Sequence, residues 1–197
     1  MARPRSDSID VATPERVLVA ARQVFGDHGF ERARLADIAR LAGIRRPSLL
    51  YHFPTKEALY AAVVERTFAR LGAMLADAMG VGGGFEARLE AMARGVARAF
   101  AEEPADARLV VRELMEPDSL GRAILLAEVV PLLDGVVTWI EDQGGSALRP
   151  GLQLRGVVMQ IVSDVLLQNV AGELRDPLWG ALDPDRTWAT ARALLLG

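Results

Sequence analysis

Nowhere in these 197 residues do Val, Ile and Thr alternate with polar residues for the length of a strand. Ala, Leu, Arg and Glu dominate instead, and Gly and Pro interrupt the chain at helix-length intervals. The pattern predicts an all-α fold. A first helix opens at Thr13-Pro14, a capping residue before the proline that suits a first helical turn. It carries the apolar stripe Val17, Leu18, Ala21, Val24 and Phe25, and Gly26 and Gly29 are expected to stop it. A second helix covers about 35–42 before Gly43, and a short third covers about 47–53. Pro54 then breaks the chain, and Thr55 caps a long fourth helix over about 56–79. Gly82-Gly83-Gly84 reads as a turn and not a phosphate loop, because no strand precedes it and no Lys-Ser/Thr follows. Five more helices are expected near 85–101, 105–115, 118–143, 150–171 and 184–196. Pro131 is expected to kink the third of these, and Asp183-Pro184 to open the last.

Composition narrows the function. At 51% hydrophobic and 25% charged residues, the chain can bury a sizeable core. The absence of cysteine excludes disulfides and thiolate metal sites. His28 and His52 are far apart, with no acidic cluster and no Glu-x-x-His beside them. No catalytic site, metal or cofactor is therefore expected. Glu128 and Pro131 interrupt the apolar run over 123–133, so no membrane span is expected. The polar start through Asp10 lacks the apolar core of a signal peptide, and a soluble cytoplasmic protein is expected.

Net charge is −3, yet its distribution is uneven. Residues 1–56 hold ten Lys and Arg against six acids, while the remainder holds 13 against 20. A basic head on an acidic body suits a phosphate-docking module joined to a partner domain that does not bind phosphate.

The stretch Arg34–Phe53, RLADIARLAGIRRPSLLYHF, carries the chemistry. A helix-turn-helix needs apolar residues where two helices pack, a small residue where they nearly touch, and glycine at the turn. Ile38, Ile44 and Leu49 meet the first need, Ala39 the second and Gly43 the third. Arg45, Arg46, Ser48, Tyr51 and His52 then lie on or near the outward face of the third helix, the end that meets base edges. Arginine suits guanine through paired bonds, Ser48 suits phosphate or base, and Leu50 can touch a thymine methyl. Tyr51 either hydrogen-bonds a phosphate or packs over the end of the first helix. His52 contacts phosphate or packs, and His28 sits solvated in a turn.

The segment from Thr13 through Leu59 resembles the DNA-binding region of the tetracycline-repressor (TetR) family of bacterial regulators. The matching pieces are the run from Ala20 to Phe30, then Asp37-Ile38-Ala39, Ala42-Gly43-Ile44 and the run from Leu49 to Leu59. The resemblance implies a DNA-binding domain over residues 11–57, with its helix-turn-helix at about 34–53, and a helical regulatory domain over 58–197. It implies binding to double-stranded DNA at a pseudo-palindromic operator, with repression as the usual outcome. It also implies that Lys56, the chain's one lysine, clamps a phosphate at the start of the fourth helix. The alternative is a solvated lysine beside Glu57. Arg34 and Arg45 stand where the family usually has capping Thr or Ser, and Leu50 where it often has Tyr. Exchanging hydroxyl caps for positive charge predicts a steeper salt dependence of binding.

In the second half, Val157–Val162 and Val165–Leu167 are apolar around most of a helix, so this helix buries two faces. The resemblance implies a homodimer through the last two helices, with candidate interface residues Val158, Ile161, Val162, Val165, Trp188 and Leu195. The alternative is the central helix of a monomeric core. The resemblance further implies a pocket for a largely apolar small-molecule effector. Its candidate lining is Phe100, Arg112, Met115, Trp139, Met159, Gln160 and Ser163, and each of these is also compatible with core or surface. The rival function is a helical ligand-binding or adaptor protein that has lost DNA binding, and Arg45 and Arg46 speak against it.

Overall fold

A computed structural model describes residues 12–116, 118–181, 183 and 185–197. Among these it contains α-helices and short 3-10 turns but no named strand. The order is α1 (Ala12–Arg32), α2 (Leu35–Leu41), α3 (Arg46–His52), α4 (Lys56–Gly80), α5 (Phe85–Glu102), α6 (Pro104–Met115), α7 (Leu120–Gly144), α8 (Leu154–Val170), α9 (Arg175–Trp179) and α10 (Arg186–Leu195). Thr55 caps α4, its side chain accepting from the Ala58 N–H at 3.0 Å.

Gly26 does not stop α1. The helix runs on to Gly29, whose φ of 75° breaks the helical path before the element ends at Arg32. Gly26 serves packing instead: a Cβ there would lie 2.6 Å from the Ala105 carbonyl oxygen on α6. Glycine lets the two backbones touch. Elsewhere α8 starts four residues later than the pattern suggests, after Gly151 turns the chain at φ 74°. The start expected at Asp183-Pro184 lies partly outside the described residues. Asp183 Oδ1 accepts the Asp185 N–H at 2.9 Å just before α10. The short α9 is an addition to the helices that the sequence predicts.

The main core gathers Phe25 and Phe30 from the first element, Ile38, Leu49, Tyr60, Val64, Leu109 and Leu125. Tyr60 packs edge-on to Phe25 and Phe30, with ring centroids 4.9 and 5.1 Å apart. A second cluster joins α5, α7, α8 and α10 through Leu89, Ile140, Val158, Ala191 and Leu195. A division between residues 57 and 58 falls in the first turn of α4, and the main core crosses it.

The length argument against a membrane span needs correcting. The segment 121–147 is long and apolar enough, by length and composition, to cross a bilayer. It passes through Pro131 as one helix. Here it packs against α4 and α8, which accounts for apolar residues on more than one of its faces.

Candidate nucleic-acid interface and cavity

The turn between α2 and α3 is built from its own backbone. Ala42 donates to Ile38 O at 2.8 Å, Gly43 to Arg40 O at 3.1 Å, and Ile44 to Ala39 O at 3.0 Å. This closure needs the left-handed φ of 70° that Gly43 adopts. Arg16 of α1 donates through Nη2 to the Ala42 carbonyl at 2.6 Å, fixing the turn to the first helix. Ile38, Ala39, Ala42 and Leu49 are buried and Ile44 half-buried, so the hairpin is held from one side only.

The other side faces out. Arg34, Arg45, Arg46 and Ser48 are exposed, and Leu50 and His52 are half-buried. Tyr51 is 76% exposed and meets the His52 ring edge-on at 5.3 Å, so its ring does not pack over the end of α1. Arg34 and Arg45 occupy the N-cap positions of α2 and α3 and form no side-chain cap. Among the described residues the side chains of Arg34, Arg45 and Arg46 have no hydrogen-bond or ion-pair partner, whereas nearby Arg40 pairs with Asp37 at 2.8 Å. Three uncompensated guanidinium groups on one exposed hairpin raise the local potential wherever a polyanion would approach.

Lys56 is half-buried and bonded rather than free in solvent. Its Nζ donates to the Glu31 carbonyl at 3.0 Å and lies 4.6 Å over the Phe30 ring. It ties the start of α4 to the end of α1, a contact whose acceptor is a backbone atom that spacing arguments do not reach. An ammonium keeps further donors beyond that bond.

Behind the hairpin, α6 grips the end of α1. Arg112 donates to the Asp27 carbonyl at 2.9 Å, Arg108 pairs with the Asp27 carboxylate at 3.0 Å, and buried Glu113 accepts the Phe30 N–H at 3.4 Å. Asp106, 1% exposed, faces Arg22 and Arg70 and accepts from the Thr67 hydroxyl at 3.1 Å. Burial nonetheless holds its carboxyl above the ordinary carboxylate value, against the pull of both arginines.

A cavity of about 300 Å³ lies between α4, α5, α6, α7, α8 and α10. Phe100 and Met159 line it, whereas Arg112, Met115, Trp139, Gln160 and Ser163 do not. Arg112 reaches back to α1, Met115 is 77% exposed, and Trp139 stacks against Phe85 at 5.4 Å. Gln160 is exposed and Ser163 half-buried on the outer side of α8. The residues expected at a dimer face also need reassigning. Val158, Ile161, Val162 and Leu195 line the cavity, and Val165 is buried in the main core. Trp188 packs half-buried against the second core cluster. The helical period explains this: positions 158, 161, 162 and 165 form one inward stripe. The complementary outward strip is Gly156, Gln160, Ser163 and Leu167, of which Ser163 is half-buried and the others are exposed.

A basic, outward-facing helix-turn-helix on a helical body with an apolar cavity has the architecture of a DNA-binding regulator. The profile described as bacterial regulatory proteins, tetR family, matches residues 17–63, the segment that holds the helix-turn-helix. The regulator RutR of Escherichia coli K12 is 47% identical over 55 residues, 28% of this chain and 26% of its own. The transcriptional activator FasR of Mycolicibacterium smegmatis is 43% identical over 51 residues, 26% of this chain and 23% of its own. These matches thus span about a quarter of those relatives' length. Similarity of fold extends much further. The fatty acid degradation regulator FadR from Bacillus halodurans superposes with a TM-score of 0.72 at 19% identity, covering 93% of this chain and 97% of its own. The ketosteroid regulator KstR2 of Mycobacterium tuberculosis gives 0.72 at 18% identity, covering 93% and 95%.

Proposed function

We propose that this protein is a sequence-specific DNA-binding transcriptional regulator, a repressor released from a palindromic operator by a small-molecule effector. The observation that carries the reading is the unpartnered trio Arg34, Arg45 and Arg46 on the exposed face of a hairpin whose inner face is closely packed. Arg46 and Ser48, at the start of α3, are assigned to base edges and phosphates, with Leu50 against a thymine methyl. Arg34, Arg45, Tyr51 and His52 are assigned to the backbone, and Lys56 to a phosphate while it holds α1.

One short recognition helix makes few base contacts, so two copies are expected to act together on half-sites about 34–36 Å apart. The outward strip of α8 supplies the dimer face, together with the exposed side of α10. The effector occupies the apolar cavity and acts by binding one spacing of the two hairpins better than the other. Action on chromosomal DNA implies a cytoplasmic location.

The test is fluorescence anisotropy with a duplex from the gene's own upstream region. Saturable binding is expected at low salt, weakened by Arg46→Ala. Failure to bind any promoter duplex at low salt would leave a helical ligand-binding protein without a DNA role. FasR is named an activator, so the sign of control is read separately by in vitro transcription with and without the protein.

A further inference from the structure

The cavity lining is apolar throughout except for Thr187, and it contains no charged side chain. A charged ligand group inside would be desolvated with nothing to balance it. The lining runs along α7 from Leu125 to Ile140, which at 1.5 Å per residue is about 22 Å of helix. A volume of about 300 Å³ drawn out along that length is long and narrow, the shape of an extended chain rather than of a compact ring system.

The exposed lining residues mark the mouth. Leu114, Leu126, Val130 and Met159 are 49, 39, 41 and 36% exposed, whereas Leu195 and Ile140 at the other end are buried. Arg122 stands one turn before Leu126 on the same face of α7. It is half-buried, and its guanidinium has no hydrogen-bond or ion-pair partner among the described residues.

We propose that the cavity takes a single unbranched aliphatic chain, tail first, whose anionic head group stays at the mouth against Arg122. This deepens the effector reading above and rests on it.

Isothermal titration calorimetry on the full chain without DNA tests it, using dodecanoate, 1-dodecanol, butanoate and phenanthrene below their aggregation limits. Dodecanoate is expected to bind once per chain, with 1-dodecanol about tenfold weaker. Arg122→Gln, a substitution outside the core, should weaken dodecanoate to the level of the alcohol and leave the alcohol unchanged. Phenanthrene binding more tightly than dodecanoate would overturn the proposal, and so would butanoate matching it or no chain compound binding at all. Equal loss of acid and alcohol in Arg122→Gln would overturn the placing of the head group. DNA binding is measured separately on the same preparation. No dodecanoate binding with operator binding intact defeats this inference alone, and the reverse result defeats the regulator reading alone.

Discussion

The carboxylate of Glu113, 1% exposed within the body, accepts the backbone N–H of Phe30 at the end of the helix that supports the DNA-binding hairpin. Its neighbour in sequence, Leu114, lines the cavity mouth. Consecutive residues of α6 thus touch the two parts that the proposed mechanism couples. The bond is long, at 3.4 Å, but the Phe30 N–H sits in a buried setting where an unmade bond is costly. Glu113→Ala is expected to lower stability by about 1–3 kcal/mol through that orphaned donor. Glu113→Gln retains an acceptor and should lose less. Urea unfolding of both variants measures the difference, and an equal loss would show that the acceptor contributes nothing.

Two glycines make a paired prediction about packing. At Gly26 an added Cβ meets the Ala105 backbone at 2.6 Å, so α1 and α6 must separate. Gly26→Ala is expected to destabilise by about 1–3 kcal/mol, as overpacking does, although alanine is the better helix former. At Gly135, inside α7, nothing lies within 4 Å of the added atom. Gly135→Ala should therefore stabilise by about 0.5–1 kcal/mol. Thermal melts of the two variants should move in opposite directions, and a stabilised Gly26→Ala would refute the close-contact account.

That contrast also shows what can be read from the chain alone. Helix punctuation and the hairpin are legible because their requirements are local: Ala39 small, Gly43 left-handed, Ile38 and Leu49 apolar at fixed spacing. Gly26 looks like a stop because the reason for it, Ala105, lies 79 positions away. The cavity residues escape the sequence for a similar reason. Apolar spacing says that a helix has an inner face but not which way that face turns. Rotation about the α6 axis puts Leu114 in the lining and leaves Met115 exposed, and Arg112 is drawn back to Asp27. On α8 the inward stripe passes for an outward one because Val157 and Leu167 carry apolar character beyond it.

Arg34 and Arg45 sit at helix N-caps with extended backbone, φ/ψ −113/130° and −84/147°, the conformation in which Ser or Thr caps well. Arg34→Thr and Arg45→Ser should each raise stability by about 1 kcal/mol by satisfying a free helix N–H. The same changes remove cations from the proposed phosphate face. The slope of log affinity against log salt should then become shallower by about 0.9 for each phosphate no longer neutralised. Anisotropy titrations at several salt concentrations read the slope. An unchanged slope in a stabilised double variant would place both arginines away from the phosphates.

Tyr60 gives a prediction in pH. Its ring is fully buried, and its hydroxyl lies beside the Glu113 Oε2 atom at a site where a Cβ on Gly121 would crowd both residues. Burial first, and then the adjacent Glu113 carboxylate, push the phenol above its ordinary value. The folded chain therefore keeps this proton at pH values where the unfolded chain releases it. Stability from this source is intact below about pH 10 and falls as pH rises beyond it, by up to about 1.4 kcal/mol per pH unit. Tyr60→Phe keeps the edge-on contacts with Phe25 and Phe30 and removes the ionisable group. Urea unfolding at pH 9, 10 and 11 should show the wild type losing stability more steeply than the variant. Parallel losses would mean that the alkaline limit of this fold is set elsewhere than at the joint between hairpin and body.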